Sequence, residues 1–174
     1  RQRINYSNQR FVGGVAWRQN EQTFDGFRAS WQVLESLNID YSYAYRVHRI
    51  FGPDDGVNPA EWDGDNNFVY VDWKVAEDHN IGAFFYAIEV DSQRSFAAPK
   101  TVNNSSDSYG LEYVGKLAML NLRAAYTTQS NAGESELDYD TGYYLVEAAG
   151  SIAGIGVNGG YEVLAADSGV GFAT

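Results

Sequence analysis

The chain has 174 residues, enough for one domain. It has no cysteine, which removes disulfides, thiolate metal sites and thiol nucleophiles, and only two histidines, which leaves little for imidazole catalysis or zinc. Twelve basic against 23 acidic residues give a net charge of −11, which argues against nucleic acid as a partner. No apolar run approaches about 18 residues, so no membrane-spanning helix is expected, although a transmembrane β-barrel would escape that test.

The chain opens on Arg1-Gln2-Arg3-Ile4 without an initiator methionine or a secretory signal. We expect a mature chain or an internal portion of a longer one. Phe27, Ala29, Trp31 and Val33 then alternate with Arg28, Ser30 and Gln32. Leu37, Ile39, Tyr41, Tyr43, Tyr45 and Val47 alternate with Asn38, Asp40, Ser42, Ala44 and Arg46, a period of two that no helix would place on one side. Val69, Val71, Trp73 and Val75 oppose Tyr70, Asp72 and Lys74. The next segment sets Gly82, Phe84, Tyr86 and Ile88 against Ala83, Phe85, Ala87 and Glu89. Both of its parities are apolar, and the first is read as the outward one. Further strands are expected over 109–117, 120–127, 143–148 and 155–163. In these, Tyr109, Leu111, Leu122, Tyr126, Tyr144, Val146, Val157 and Tyr161 share one face. Glu112, Lys116, Arg123, Glu147, Asn158 and Glu162 share the other.

The connections alternate in length. Those near 34–36, 77–80, 118–119 and 150–154 are short, and those near 51–66, 92–107 and 128–138 are long and polar. Pro53, Pro59 and Pro99 all fall in the long ones, where no ladder hydrogen bond is lost. This is the layout of an antiparallel up-and-down sheet and of outer-membrane barrels. Trp31 and Trp73 near the short turns, with Tyr45, Tyr109 and Tyr126 near the long loops, suggest interfacial girdles. On that reading the opposite parity lines a wet lumen. Its candidate substrate-contacting residues are Arg28, Arg46, Lys74, Lys116 and Arg123, with Asp25, Glu89, Glu112, Glu147 and Glu162 as acidic partners.

Residues 1–28 carry five arginines against Glu21 and Asp25, in a chain that is otherwise strongly acidic. Guanidinium binds carboxylate through two parallel hydrogen bonds, so an arginine-rich wall would draw in a carboxylate-bearing polyanion. The acidic runs Asp54, Asp55, Glu61, Asp63, Asp65 and Glu134, Glu136, Asp138, Asp140 are read as solvated outer loops. Asp63-Gly64-Asp65-Asn66-Asn67 looks like part of a calcium loop but lacks its closing glutamate. His48 lies at a strand end and His79 in a short turn, neither with a convincing partner for catalysis.

Arg1-Gln2-Arg3-Ile4-Asn5-Tyr6, Asn8-Gln9-Arg10-Phe11-Val12-Gly13 and Trp17-Arg18-Gln19-Asn20-Glu21-Gln22-Thr23-Phe24-Asp25 resemble the alginate export family of outer-membrane porins. Tyr143 to Ala148, Gly159 to Leu164 and Gly171-Phe172 look like that family's later strands. The resemblance implies one large monomeric barrel in the outer membrane of a Gram-negative bacterium, with Arg1, Arg3 and Arg10 in an arginine-rich constriction. The resulting expectation is an all-β antiparallel transmembrane barrel. Residues 1–174 would form a single β-barrel domain, a portion lacking strands at both ends. It would pass an anionic polysaccharide or another small polar solute, touch membrane lipid, and use no cofactor, metal or catalytic residue. Four alternatives stay open: a soluble all-β carbohydrate-binding module, a general porin without saccharide specificity, an outer-membrane enzyme, and a small closed eight-stranded barrel.

Overall fold

The computed structural model describes residues 1–51, 59–91 and 103–173. Eight long strands form one antiparallel sheet: β1 (Thr23–Leu34), β2 (Leu37–His48), β3 (Glu61–Ala76), β4 (His79–Ile88), β5 (Ser106–Leu117), β6 (Leu120–Asn131), β7 (Asp140–Ile152) and β8 (Ile155–Leu164). Each pairs with the next in up-and-down order. A two-stranded hairpin, β9 (Ala166–Asp167) and β10 (Val170–Gly171), follows. β1 and β8 do not pair with each other, so the sheet is open, and a small eight-stranded barrel closed on itself is not what forms.

All eight predicted strands are present, joined alternately by tight turns and long connections. Ala153 and Gly154 both have positive φ, at 51° and 80°, as the favoured two-residue hairpin turns require. The long connections cover 49–60, 89–105 and 132–139, and the strand ends that flank them share the other edge. Pro53, Pro99, Asp54, Asp55 and Asn58 lie outside the described residues.

The two faces differ in chemistry. Registers carry one row from Ala29 through Tyr41, Val69, Phe85 and Tyr109, and another from Leu111 through Tyr126, Tyr144 and Val163. This outer face exposes Phe27, Trp31, Trp73, Tyr109, Leu111, Tyr126, Tyr144, Val146 and Tyr161. On β5 the outward positions from Tyr109 to Leu117 hold no charge. At about 3.3 Å per residue that stretch is roughly 26 Å of strand. Charged outward residues gather beyond it, at the long-connection end: Asp63 and Asp65 on β3, and Asp107 on β5.

The inner face is covered. Residues 1–22 form a strap laid across it, with Ile4, Tyr6 and Val12 buried against Phe24, Ala44, Val47, Phe68, Phe84 and Tyr86. Phe11 reaches further along, touching Phe84, Tyr143 and Phe172. The strap reverses through Ser7, Gln9 and Val15, at φ of 49°, 62° and 53°. The strap also explains Gly110. A Cβ there would lie 2.1 Å from the Phe84 ring, which the strap holds down. Gly110→Ala should therefore cost about 1–3 kcal/mol in urea unfolding, as over-packing does.

Four expectations are corrected. First, β4 is inverted: Phe84 and Tyr86 point inward and Phe85 outward. Both parities are apolar, and the aromatic strap decides which faces in. Second, Arg46 faces outward. A bulge between Ala44 and Arg46 puts two buried residues, Ala44 and Val47, three apart, which turns Arg46 away from the core. Third, Asp25 follows buried Phe24 and pairs with Arg46 on that same outward rim. Glu89 likewise lies past the end of β4, exposed near Gly133, rather than on the inner wall. Fourth, Glu61, Asp63 and Asp65 sit in β3, so the suspected calcium loop is a strand rather than a loop. His79 opens β4, with Nδ1 2.7 Å from the Tyr113 hydroxyl.

Candidate functional site

The inner wall carries Arg28 on β1, Asp40 on β2, Asp72 and Lys74 on β3, Glu112 and Lys116 on β5, Arg123 on β6, Glu147 on β7 and Glu162 on β8. Four of these are basic and five acidic, so the sheet alone is nearly balanced. The strap adds Arg1, Arg3, Arg10 and Arg18 against Glu21. The positive excess therefore enters through the strap rather than the strands.

Arg28 is tied to Asp40. Its Nε and one terminal nitrogen donate to Oδ1 at 3.0 and 2.8 Å, and Asn38 donates to the other oxygen at 2.7 Å. Asp40 is buried, and alternation along β2 aims it inward with Ser42. The Arg28 guanidinium also lies 5.4 Å from the Tyr6 ring centre. Tyr6 stacks on Tyr70 and Tyr86, and its hydroxyl meets Ser42 Oγ at 2.7 Å. Burial raises the Tyr6 phenol above its ordinary range, so it stays neutral.

At the far wall, Arg10 meets Glu162 Oε1 at 2.8 Å, and the Tyr143 hydroxyl donates to the same oxygen at 2.8 Å. Ser7 donates to buried Glu112. Arg10, Glu112 and Arg123 surround a gap of only about 10 Å³, room for roughly one water. The strap thus seals against the wall there. Arg123 approaches Glu147 at 4.0 Å. Lys74 and Lys116 are exposed and have no ion pair among the described residues.

The remaining predicted residues gather elsewhere. Arg1 reaches Asp25 at 3.3 Å and His48 at 2.7 Å, while Arg3 pairs with Glu21. Arg46 binds Asp63 and lies 3.6 Å from Glu61. Asp25, Arg46, His48, Glu61 and Asp63 make a charged cluster on the outward rim. Among the described residues, no group of three or more His, Cys, Asp or Glu is placed to hold a metal ion.

Sequence reasoning passed over Asp40, Tyr6 and Phe11. Asp40 lay on the polar parity of its strand and was readable. The strap residues carry no period of two, and only the family resemblance, which implied an arginine-rich constriction, pointed to a place for them inside.

The family model described as Alginate export matches residues 1–163 of the chain. No curated protein matches the chain, and no solved structure does.

Proposed function

The chain belongs to the alginate export family, and from that premise we propose that its sheet is one sector of an outer-membrane pore passing a polar, anionic saccharide. Membership itself supports a role in alginate export or in porin function generally. The observation that carries the finer reading is the contrast between the faces. One exposes aromatic and aliphatic side chains in a charge-poor band; the other carries paired charges under an arginine-bearing strap. Lipid favours the first face, with its rings at the headgroup level, and a hydrated passage favours the second. Apart from a bridge between Gln2 and Phe24, the outer edges of β1 and β8 carry no neighbouring strand among the described residues, and further strands there would complete a barrel.

In this pore the strap narrows the lumen and supplies positive charge, with Arg10 paired to the wall carboxylate of Glu162, Arg1 to Asp25 on the rim and Arg3 to Glu21 within the strap. A polyuronate competes for these guanidinium groups as it passes. Because Arg1, Arg3, Arg10 and Arg28 already have carboxylate partners, none of them holds the chain strongly, which suits conduction.

Single-channel recordings of the complete barrel in planar bilayers test this. Asp40→Asn removes the partner of Arg28 and should increase anion preference and block by oligomeric uronates. Arg10→Glu should decrease both. The effects should be larger at low salt, since the screening length is about 8 Å near 0.15 M. Unchanged reversal potentials and unchanged block in well-folded forms of both variants would reject the anion-guiding role and leave a general porin.

A further inference from the structure

A second segment reaches the inner face from the end of β8. The ladder with β7 ends where Leu164 pairs with Tyr143. Ala165 then donates its N–H to the Gly142 carbonyl at 2.9 Å. The chain turns back through Ser168 and Gly169, at φ of 52° and 81°. Two positive φ angles in succession make the tight turn of a two-residue hairpin. Phe172 closes it by donating its N–H to the Ala165 carbonyl at 2.9 Å. The β9–β10 hairpin is thus a small body complete in itself, standing on Ala165.

Few contacts hold that body to the sheet. Residues 166–169 and Gly171 are exposed, and Val170 is half-buried. Phe172 is the buried residue of the hairpin, 6% exposed. Its ring centre lies 5.9 Å from that of Phe11 in the strap and 5.8 Å from that of Tyr143 on β7. Beside it, Gln129 grips the backbone of Ala173 with both ends of its amide. Nε2 donates to the Ala173 carbonyl at 3.1 Å, and Oε1 accepts the Ala173 N–H at 2.9 Å. Asp167 adds one longer bond, accepting the Asp140 N–H at 3.2 Å. The strap is held quite differently. It buries Ile4, Tyr6 and Val12 in the aromatic cluster of β1 to β4 and bridges β1 from Gln2 to Phe24. A segment with one buried ring and a few exposed hydrogen bonds opens at a lower free energy than one anchored in a core.

We propose that the β9–β10 hairpin is a hinged lid over the inner face, with its hinge at Ala165 and its latch in the Phe172 ring against Phe11 and Tyr143. Gln129 is a positioning residue that sets the backbone next to the latch. Closed, the lid joins wall to strap beside the small gap lined by Arg10, Phe11 and Tyr143, and Ala173 borders the larger cavity at Gln129. Open, it withdraws Phe172 and Ala173 from both spaces while the strap stays on its aromatic anchor. The lid's role as a gate near the long-connection end of a lumen rests on the pore reading; its opening does not.

Amide hydrogen exchange of the detergent-folded full chain, read residue by residue, tests the lid. The Ala165 and Ala173 amides bond to the wall and are freed when the lid swings. The Tyr6 amide, held by the Val12 carbonyl, reports on the strap. Ala165 and Ala173 should be protected at least tenfold less than Tyr6. Phe172→Ala should lower their protection at least tenfold further and change that of Tyr6 less than threefold. Phe172→Leu, which keeps part of the buried side chain, should fall between. Equal protection of all three amides in wild type, or an equal loss in all three with Phe172→Ala, would overturn the lid. Single-channel recordings of the complete barrel read the gate separately. Phe172→Ala should shorten closed times at least fivefold. Unchanged closed times would overturn the gating role and leave the pore reading intact. Silent wild-type barrels, with the exchange pattern as expected, would end the pore reading and leave the lid standing.

Discussion

Val146→Arg is expected to destabilise the lipid-embedded protein by about 2–4 kcal/mol, the cost of an arginine near the bilayer midplane on a barrel's outer surface. Val146 is the middle residue of β7, 60% exposed, and its neighbours across the sheet are Ala124 and Tyr161. No partner for a guanidinium stands in that row. Asn158→Arg is the matched control. Asn158 pairs with Ala149 on β7 and lies on the inner parity, which the proposed pore would leave hydrated. That substitution should cost under about 1 kcal/mol. Ser42 would be a poor control, although it shares the inner face. It is fully buried beneath Tyr6, so an arginine there would displace the strap. Reversible unfolding in lipid vesicles reads both values. Equal costs for Val146→Arg and Asn158→Arg would mean that the two faces meet the same solvent.

Tyr6→Ala should be the most damaging change in the strap, at about 3–5 kcal/mol, the usual cost of removing a large buried aromatic side chain. The ring is 4% exposed and stacks between Tyr70 and Tyr86, at 5.4 and 5.9 Å. It also caps the Arg28–Asp40 pair. Tyr6→Phe keeps the stack and loses only the contact with Ser42, so it should cost about 0.5–1.5 kcal/mol. If the strap narrows the lumen, Tyr6→Ala should also raise single-channel conductance while Tyr6→Phe leaves it near wild type. A Tyr6→Ala protein as stable as wild type would mean that the strap is not anchored by this ring.

The strands were legible because one face of each is apolar and the other polar, and a period of two survives modest noise. β2 shows the reach and the limit of that signal. From Leu37 to Ala44 the alternation reads correctly. At Tyr45 one extra residue reverses it, and Arg46 lands on the rim instead of the wall. A bulge carries no reliable sequence mark when the inserted residue is itself aromatic. β4 fails for another reason: Phe84, Phe85 and Tyr86 are consecutive rings, so the period vanishes and only packing decides. The candidate site was legible in part. Arg28, Glu112, Arg123, Glu147 and Glu162 fall on the expected parity. Their partners were less visible, because Arg10–Glu162 and Ser7–Glu112 join residues more than a hundred positions apart. Those contacts exist because an aperiodic segment folds back over the sheet, a tertiary event that local periodicity does not record.

If one face of this sheet meets lipid while the other meets water, as proposed, β8 offers the cleanest place to measure it. Its residues alternate along an exposed strand, with Val157, Gly159, Tyr161 and Val163 on the outer parity and Gly156, Asn158, Gly160 and Glu162 on the inner. Single spin labels at each of these positions, in the full chain reconstituted into lipid, report collisions with dissolved oxygen and with a water-soluble nickel chelate. A sector of a lipid-embedded pore should give a period of two, with oxygen favoured at the outer positions and nickel at the inner ones. Nickel access that is equally high at both sets, without alternation, would contradict it and favour a soluble sheet.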